Sequence, residues 1–252
     1  MLRTDATDTA YMKAALGLAR RALGTVAPNP AVGCVLVRPD LGAGGGLSGR
    51  VVGRGHTMPG GRPHAETRAL EAAGSLAKGA TAYVTLEPCA HHGETPPCAE
   101  ALIKAGVVRV VVACPDPDPR VDGGGLALLE KADIEVVTGV CQSPARRLNA
   151  GFFSTVEHDR PLVTLKTATT LDGRIATHTG ESQWITDVDA RARGHMLRAS
   201  HDAILVGSGT VRSDNPELTC RLPGMANRSP VRIVLDGRLA TPLTSKLVAT
   251  AK

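Results

Sequence analysis

Three side chains of the kind that bind transition metals lie far apart in this sequence, and a chain that uses them together must fold so that they converge. They are His64, in His64-Ala65-Glu66, and Cys89 and Cys98, which bracket Pro88-Cys89-Ala90-His91-His92-Gly93-Glu94-Thr95-Pro96-Pro97-Cys98. One imidazole and two thiolates leave the fourth position of a tetrahedral zinc ion open to water, whereas a structural zinc site normally fills all four. That points to hydrolytic chemistry, with Glu66 as a carboxylate beside the metal able to move protons between water and a substrate. The competing reading is a closed site completed by His56, His91 or His92. The paired short Cys/His spacings usual in closed sites argue against it, since this region has a single cysteine pair.

Hydrophobic periodicity around these residues predicts an α/β fold. Met12, Leu16, Ala19 and Leu23 are spaced for a helix that stops at Gly24 and the Pro28-Asn29-Pro30 turn. Ala31 to Val37 and Arg50 to Gly55 read as strands around a glycine-rich hairpin at Gly42 to Gly49. A helix from His64 to about Ala77, a strand Thr81 to Leu86, a helix from about Pro97 to Ala105, a buried strand Val107 to Ala113, a helix Gly125 to Ala132 and a strand Ile134 to Thr138 follow. This order predicts a three-layer sandwich over residues 1–145, with both ligand motifs at helix N-termini, where the dipole favours thiolates. Gln142 to His158 reads as a helical connector. A second unit, 158–252, is expected to hold a strand Leu162 to Ala168, a helix around Asp187 to Ala199, a buried strand Ala203 to Val206, a loop through Asp214-Asn215-Pro216 and a strand Val231 to Leu235.

Composition narrows the function. In 252 residues only 2% are aromatic, which leaves few platforms for stacking bases and argues against a single-strand nucleic-acid binder. The formal charge of +5 suits a phosphorylated or dinucleotide ligand as well as it suits nucleic acid. The start of the chain has no apolar signal-like region, and no run approaches the roughly 18 apolar residues of a membrane span. A cytoplasmic protein with no membrane partner is expected, its cysteines reduced. Cys34, Cys114, Cys141 and Cys220 read as core or loop residues.

The general signature of zinc nucleobase deaminases is H-x-E followed by P-C-x-x-C. This chain departs from it, with eight residues between Cys89 and Cys98. The departure is what one family shows, and the chain resembles that family, the bifunctional riboflavin-biosynthesis deaminase/reductases. The resemblance rests on Pro28-Asn-Pro-Ala-Val-Gly-Cys-Val-Leu-Val37, Gly55-His-Thr-Met-Pro-Gly60, His64-Ala-Glu66 and the Glu87 to Cys98 stretch. In the second half it rests on Lys166-Thr-Ala-Thr-Thr-Leu-Asp-Gly173, Ser182-Gln-Trp184-Ile-Thr186 and Gly207-Ser-Gly-Thr-Val-Arg-Ser-Asp-Asn-Pro-Glu-Leu218.

The resemblance implies a cytidine-deaminase-like first domain that removes ammonia from 2,5-diamino-6-(5-phosphoribosylamino)pyrimidin-4(3H)-one, with Zn²⁺ on His64, Cys89 and Cys98 and Glu66 as catalytic acid/base. Asn29 and His56 would shape the substrate pocket, and His91 and Asp116 would contact the pyrimidine or the ribose phosphate. Read from the residues alone, Asn29 is equally a turn residue and Asp116 a loop residue. The second domain would be dihydrofolate-reductase-like and use NADPH to reduce the ribosyl group to ribityl. Ala168, Trp184, Thr210 and Asp214 would sit at the cofactor, with Asp214 also handling a proton. Lys166, Ser182, Arg198, Leu218 and Arg221 would hold the phosphorylated substrate, for which guanidinium forks are suited. Gly207-x-Gly209 by itself is a weak nucleotide signal. The resemblance also implies a homo-oligomer and a reductase domain that continues past the position of Lys252. The second domain is therefore expected to be incomplete and its reductase activity weak. Two readings outside this family stay open: a zinc deaminase acting on a nucleic-acid base, and a zinc-stabilised module without catalysis.

Overall fold

The computed structural model describes residues 6–39, 49–91, 96–119, 121 and 123–251. The glycine-rich loop expected at 42–49, apart from Gly49, and His92 lie outside these residues. Two units divide the chain, Met1–Leu162 and Val163–Lys252.

In the first unit, β1 (Gly33–Pro39), β2 (Gly49–His56), β3 (Thr81–Val84), β4 (Arg109–Val112) and β5 (Glu135–Thr138) form one sheet in the order β2-β1-β3-β4-β5. β1 runs antiparallel to both its neighbours, while β3, β4 and β5 are parallel, as expected where helices make the crossovers. The helices are α1 (Ala6–Ala19), α2 (Ala65–Ala73), α3 (Cys98–Lys104), α4 (Gly124–Lys131), α5 (Gln142–Leu148) and α6 (Ala150–His158). α1 packs on β1, β2 and β3, α2 packs on β1 and β2, and α3 lies between α2 and α4.

Glycines set how closely the layers approach. A Cβ at Gly33 would lie 2.0 Å from the Ala15 carbonyl oxygen on α1. Cβ atoms at Gly53 and Gly55 would lie 2.2 and 2.1 Å from the carbonyl oxygens of Ala69 and Ala65 on α2. Gly55 pairs with Cys34, the neighbour of Gly33, so with side chains alternating across the pleat the two helices cover opposite faces. The result is the three-layer sandwich. Leu36, Leu86, Leu102 and Leu129 fill its core, each burial contributing roughly 1.5–3 kcal/mol. The segment 142–158 belongs to this core as well, through buried Ala145 and Phe153, and is not a free connector.

Charged groups also enter the interior, among them Asp8. Arg109 grips buried Asp8 with two bonds of 2.8 and 2.9 Å and reaches Glu135 at 3.0 Å, while the Tyr83 hydroxyl donates to Asp8. This ties the start of α1 to β3, β4 and β5.

In the second unit, β6 (Ala203–Gly207) and β7 (Val231–Leu235) form a parallel pair, joined by α7 (Val188–Ser200), α8 (Ser208–Asp214) and α9 (Lys246–Ala249). One face of the pair, with Ile204, Val206 and Val234, packs on Val211, Leu218 and Leu247. The other face is open, and Leu205 is 54% exposed, so β6 is not the buried strand its apolar run predicts. The strand expected at Leu162 to Ala168 does not form. Val163 and Leu165 are 82% and 86% exposed, and among the described residues no ladder pairs this backbone. Apolar alternation makes a strand only where a neighbour satisfies its N–H and C=O groups. Residues 208–214, expected as part of a loop, form α8.

Gly55→Ala is expected to lower the stability of the first unit by about 1–3 kcal/mol, because α2 must move off the sheet. Gly17→Ala, on α1 with open space around it, should instead be neutral or stabilising by about 0.5–1 kcal/mol. Denaturant midpoints of the two variants against the parent measure both effects.

Candidate metal centre

The close seat of α2 on the sheet fixes the first ligand. His64 is the N-cap of α2, with extended backbone (φ −68°, ψ 162°), so its imidazole stands at the mouth of the helix. Glu66 lies in the first turn and is 3% exposed. Cys89 follows the end of β3, and Cys98 begins α3, its N–H donating to Cys89 Sγ at 3.3 Å.

His64 Nδ1 lies 3.3 Å from Cys98 Sγ and 3.7 Å from Cys89 Sγ, and the three ligand atoms fall within 4.8 Å of one another. A tetrahedral zinc with ordinary Zn–S and Zn–N bonds places such atoms about 3.6 Å apart, so the donor set fits the ion in both chemistry and spacing. Among the described residues neither His56 nor His91 joins the cluster, which leaves it a three-ligand set.

The electrostatics suit a cation. The Cys89 thiol is pulled down to about 4, chiefly by the hydrogen bond from Cys98 and further by His64 and the Cys98 N–H. Cys98 is pushed up, chiefly by the hydrogen bond it donates to Cys89 and by burial. Metal binding at such a site displaces protons from its thiols. His64 is raised, first by its hydrogen bond with Cys89. Glu66 is raised to about 7, first by burial, with the charge of Cys89 adding to the shift and that of His64 opposing it.

Of the other residues expected here, Asp116 is the one that feels the charge of the cluster, through Cys89. Asn29 lies against Gly61, where a Cβ would come within 2.0 Å of its Nδ2. His56 ends β2 opposite Gly33. The His91 Nδ1 is buried with no hydrogen-bond partner among the described residues. Asp116, on the loop after β4, accepts from the Asp118 N–H at 2.9 Å. Burial is the main cause that raises its carboxyl to about 6, and the charges of Glu87 and Cys89 contribute. Sequence reasoning missed Glu87. Its buried carboxylate accepts from the N–H groups of Gly125 and Leu126, at the start of α4, and of Asp116. It thereby joins the Cys89 loop to the Asp116 loop. Its place two residues before Cys89 was the available signal.

In the second unit, Arg198 and Arg221 converge on His195, which sequence reasoning also missed. His195 Nδ1 accepts the Arg221 backbone N–H at 3.2 Å and lies 3.5 Å from the Arg198 guanidinium, while the Arg221 guanidinium pairs with Glu217 at 3.3 Å. Burial, then the two guanidinium groups, lower its pKa. Lys166 runs alongside Gly194 on α7. Leu218 packs its side chain into the small core, leaving its backbone, at φ 57°, for other contacts. Trp184 is 70% exposed beneath the Arg191 guanidinium, 4.4 Å from the ring centre. Thr210 and Asp214 share α8, and no hydrogen bond or ion pair among the described residues joins them to Ala168, Trp184 or Ser182. A groove of about 330 Å³ lined by Ser208, Arg212, Asp236, Gly237 and Arg238 opens at the carboxyl ends of β6 and β7, where open α/β sheets hold ligands. Its charged lining is the pair Arg212 and Arg238 with Asp236.

Residues 5–114 match the cytidine and deoxycytidylate deaminase zinc-binding region, and residues 161–252 match the RibD C-terminal domain. The riboflavin biosynthesis protein RibD of Aquifex aeolicus is 49% identical over 96% of this chain and 65% of its own length. That of Haemophilus influenzae is 44% identical over 99% of this chain and 68% of its own. The solved structure of Acinetobacter baumannii RibD superposes with a TM-score of 0.84 at 46% identity, covering 96% of this chain and 67% of that one. The chain spans 62–65% of the length of the first four curated relatives it matches.

Cobalt added to the purified chain is expected to give the absorption of a tetrahedral thiolate site at one equivalent. Cys89→Ser and His64→Ala should lose it, and Cys34→Ala, whose thiol is fully buried in β1 outside the cluster, should keep it. A titration that saturates in Cys89→Ser as in the parent would show that these three residues are not the ligands.

Proposed function

This chain belongs to the RibD family of riboflavin biosynthesis proteins, and on that premise we propose that its first unit deaminates the phosphoribosylated diaminopyrimidine and its second reduces the ribosyl side chain of the product with NADPH. The observation that carries the first half is the convergence of His64, Cys89 and Cys98 beside a buried Glu66 held near neutral pKa.

His64 Nδ1 and the sulfurs of Cys89 and Cys98 would hold a zinc ion, which would make a water acidic enough, at about pH 7, to be used as hydroxide. Glu66 takes the proton released as water adds to the amino-bearing ring carbon and delivers it to the neighbouring ring nitrogen. It then carries the proton of the newly added hydroxyl to the amino group, so that ammonia leaves as the C–N bond breaks and that oxygen remains as a carbonyl. A carboxyl near 7 can both accept and give at neutral pH. Asn29, His56, His91 and Asp116 form the substrate side. His91 supports this, since its buried ring nitrogen has no partner among the described residues and a ligand could complete it.

For the second half, Arg198 and Arg221 around His195 supply a cationic site for the substrate phosphate, with Lys166 beside α7. The groove at the ends of β6 and β7 supplies the cofactor phosphates with two guanidinium groups, and Ala168, Trp184, Thr210 and Asp214 face the nicotinamide end in this reading. A cytoplasmic location belongs to the same proposal, supported by six unpaired cysteines and thiolate ligands that need a reducing compartment. So does a homo-oligomer, for which the open face of the β6–β7 pair, with Leu205, Val231 and Leu235, offers an apolar surface.

Glu66→Gln should keep its zinc and release ammonia from the diaminopyrimidine at least roughly a hundredfold more slowly. Near-normal release by that variant would remove Glu66 from its role, and no release by the parent would end the deaminase reading. In the second unit, Arg198→Ala should raise KM for the deaminated product about tenfold or more, read from the loss of NADPH absorbance. NADPH that is consumed equally well by this variant would exclude Arg198 from the phosphate site.

A further inference from the structure

Asn149 lies between α5 and α6, beyond the stretch 5–114 that matches the deaminase zinc-binding region. Its carboxamide is buried, 3% exposed, and both its groups are spent on one residue 118 positions away. Oδ1 accepts the Ala31 N–H at 2.8 Å, and Nδ2 donates to the Ala31 carbonyl at 2.9 Å. This side chain does for Ala31 what a neighbouring strand would do. The residues on either side are held in the same manner. Thr57 Oγ1 accepts the Val32 N–H at 2.9 Å and donates to the Pro30 carbonyl at 3.1 Å, and Thr85 Oγ1 accepts the Gly33 N–H at 3.0 Å. The segment leading into β1 therefore hangs on three buried side chains from three parts of the first unit.

At the upstream end of that segment is Asn29. Proline rings flank it on both sides and fix their own φ, and its N–H donates to the Val26 carbonyl at 2.9 Å. Its side chain rests on the bare backbone of Gly61, three residues before His64. Little rotation is left to Asn29, so the direction of its carboxamide follows from where Ala31 is pinned.

We propose that Asn149 is a positioning residue of the deaminase site, clamping Ala31 so that Asn29 presents its carboxamide to the pyrimidine. The inference rests on the reading of the first unit as a deaminase with Asn29 in its substrate pocket. Asn149 touches neither substrate nor metal and acts through Asn29.

The test uses the full chain. Asn149→Ala should retain its zinc and a kcat within about threefold of the parent while KM for the diaminopyrimidine rises about tenfold, the scale of one well-placed hydrogen bond. Asn149→Asp, which keeps the acceptor toward the Ala31 N–H, gives the same split if the alanine variant does not fold. The double variant Asn29→Ala with Asn149→Ala should have a KM no higher than Asn29→Ala alone, because residues acting through one another are not additive. Multiplying effects, or an unchanged KM in Asn149→Ala, would overturn the proposal. Amide hydrogen exchange at Ala31 separates its failure from that of the function reading. If the parent releases no ammonia, faster exchange in Asn149→Ala still upholds the clamp, and unchanged exchange refutes it.

Discussion

Helix α2 rests on the bare backbone of β2, and the metal centre depends on that contact. Any side chain at Gly53 or Gly55 would collide with the carbonyl oxygens of Ala69 and Ala65. With no side chain between them, the start of α2 is brought to the end of the sheet, where β3 delivers Cys89 and α3 begins with Cys98. His64 and Cys98 thus come from helix starts, and Cys89 comes from the loop after β3, held against α3 by the N–H groups of Cys98 and Ala99. A site built on such elements holds its geometry better than one carried on free loops. Gly33 serves the opposite face in the same way, admitting α1 against β1.

Where the chain leaves the sheet, buried side chains take over from the ladder. Backbone N–H and C=O groups must be paired once they leave water. Glu87 meets that need for the loops after β3 and β4 by accepting from Gly125, Leu126 and Asp116. Thr57, Thr85 and Asn149 meet it for the approach to β1. The residues that would touch substrate, Asn29 and Asp116, lie on these side-chain-held segments, and the metal ligands lie beside them. Loops that would otherwise move are fixed by polar groups that contribute nothing to the chemistry directly.

The legible part of this protein is the part whose causes are local. His64, Glu66, Cys89 and Cys98 could be read from residue type and spacing, and α1 and the five strands of the first unit from periodicity and turn residues. What could not be read depends on partners distant in sequence. Nothing near Asp8 announces that Arg109 will grip it 101 residues away, and nothing near Asn149 announces Ala31. His195 is an unremarkable helix position until Arg221 folds back onto it. The failure of the run Leu162 to Ala168 to become a strand has the same origin, because its alternation is sound and what it lacks, among the described residues, is a neighbour. The Gly207-Ser-Gly209 stretch, weak as a nucleotide motif, turned out to be the entry to α8.

Three buried carboxyl groups in the first unit show how environment divides roles among like side chains. Asp8 faces a guanidinium that grips both its oxygens, and Glu87 faces three N–H groups. In both, the carboxylate oxygens are taken up as fixed hydrogen-bond acceptors within the fold. Glu66 has the cluster's sulfurs for neighbours, and burial outweighs the attraction of His64, which leaves its carboxyl near 7. A group stabilised fully in one protonation state is a poor proton carrier, whereas one balanced between two can exchange protons at little cost. Burial beside the ligand sulfurs therefore separates the candidate catalytic carboxyl from the two whose oxygens are taken up by hydrogen bonds that hold the fold together.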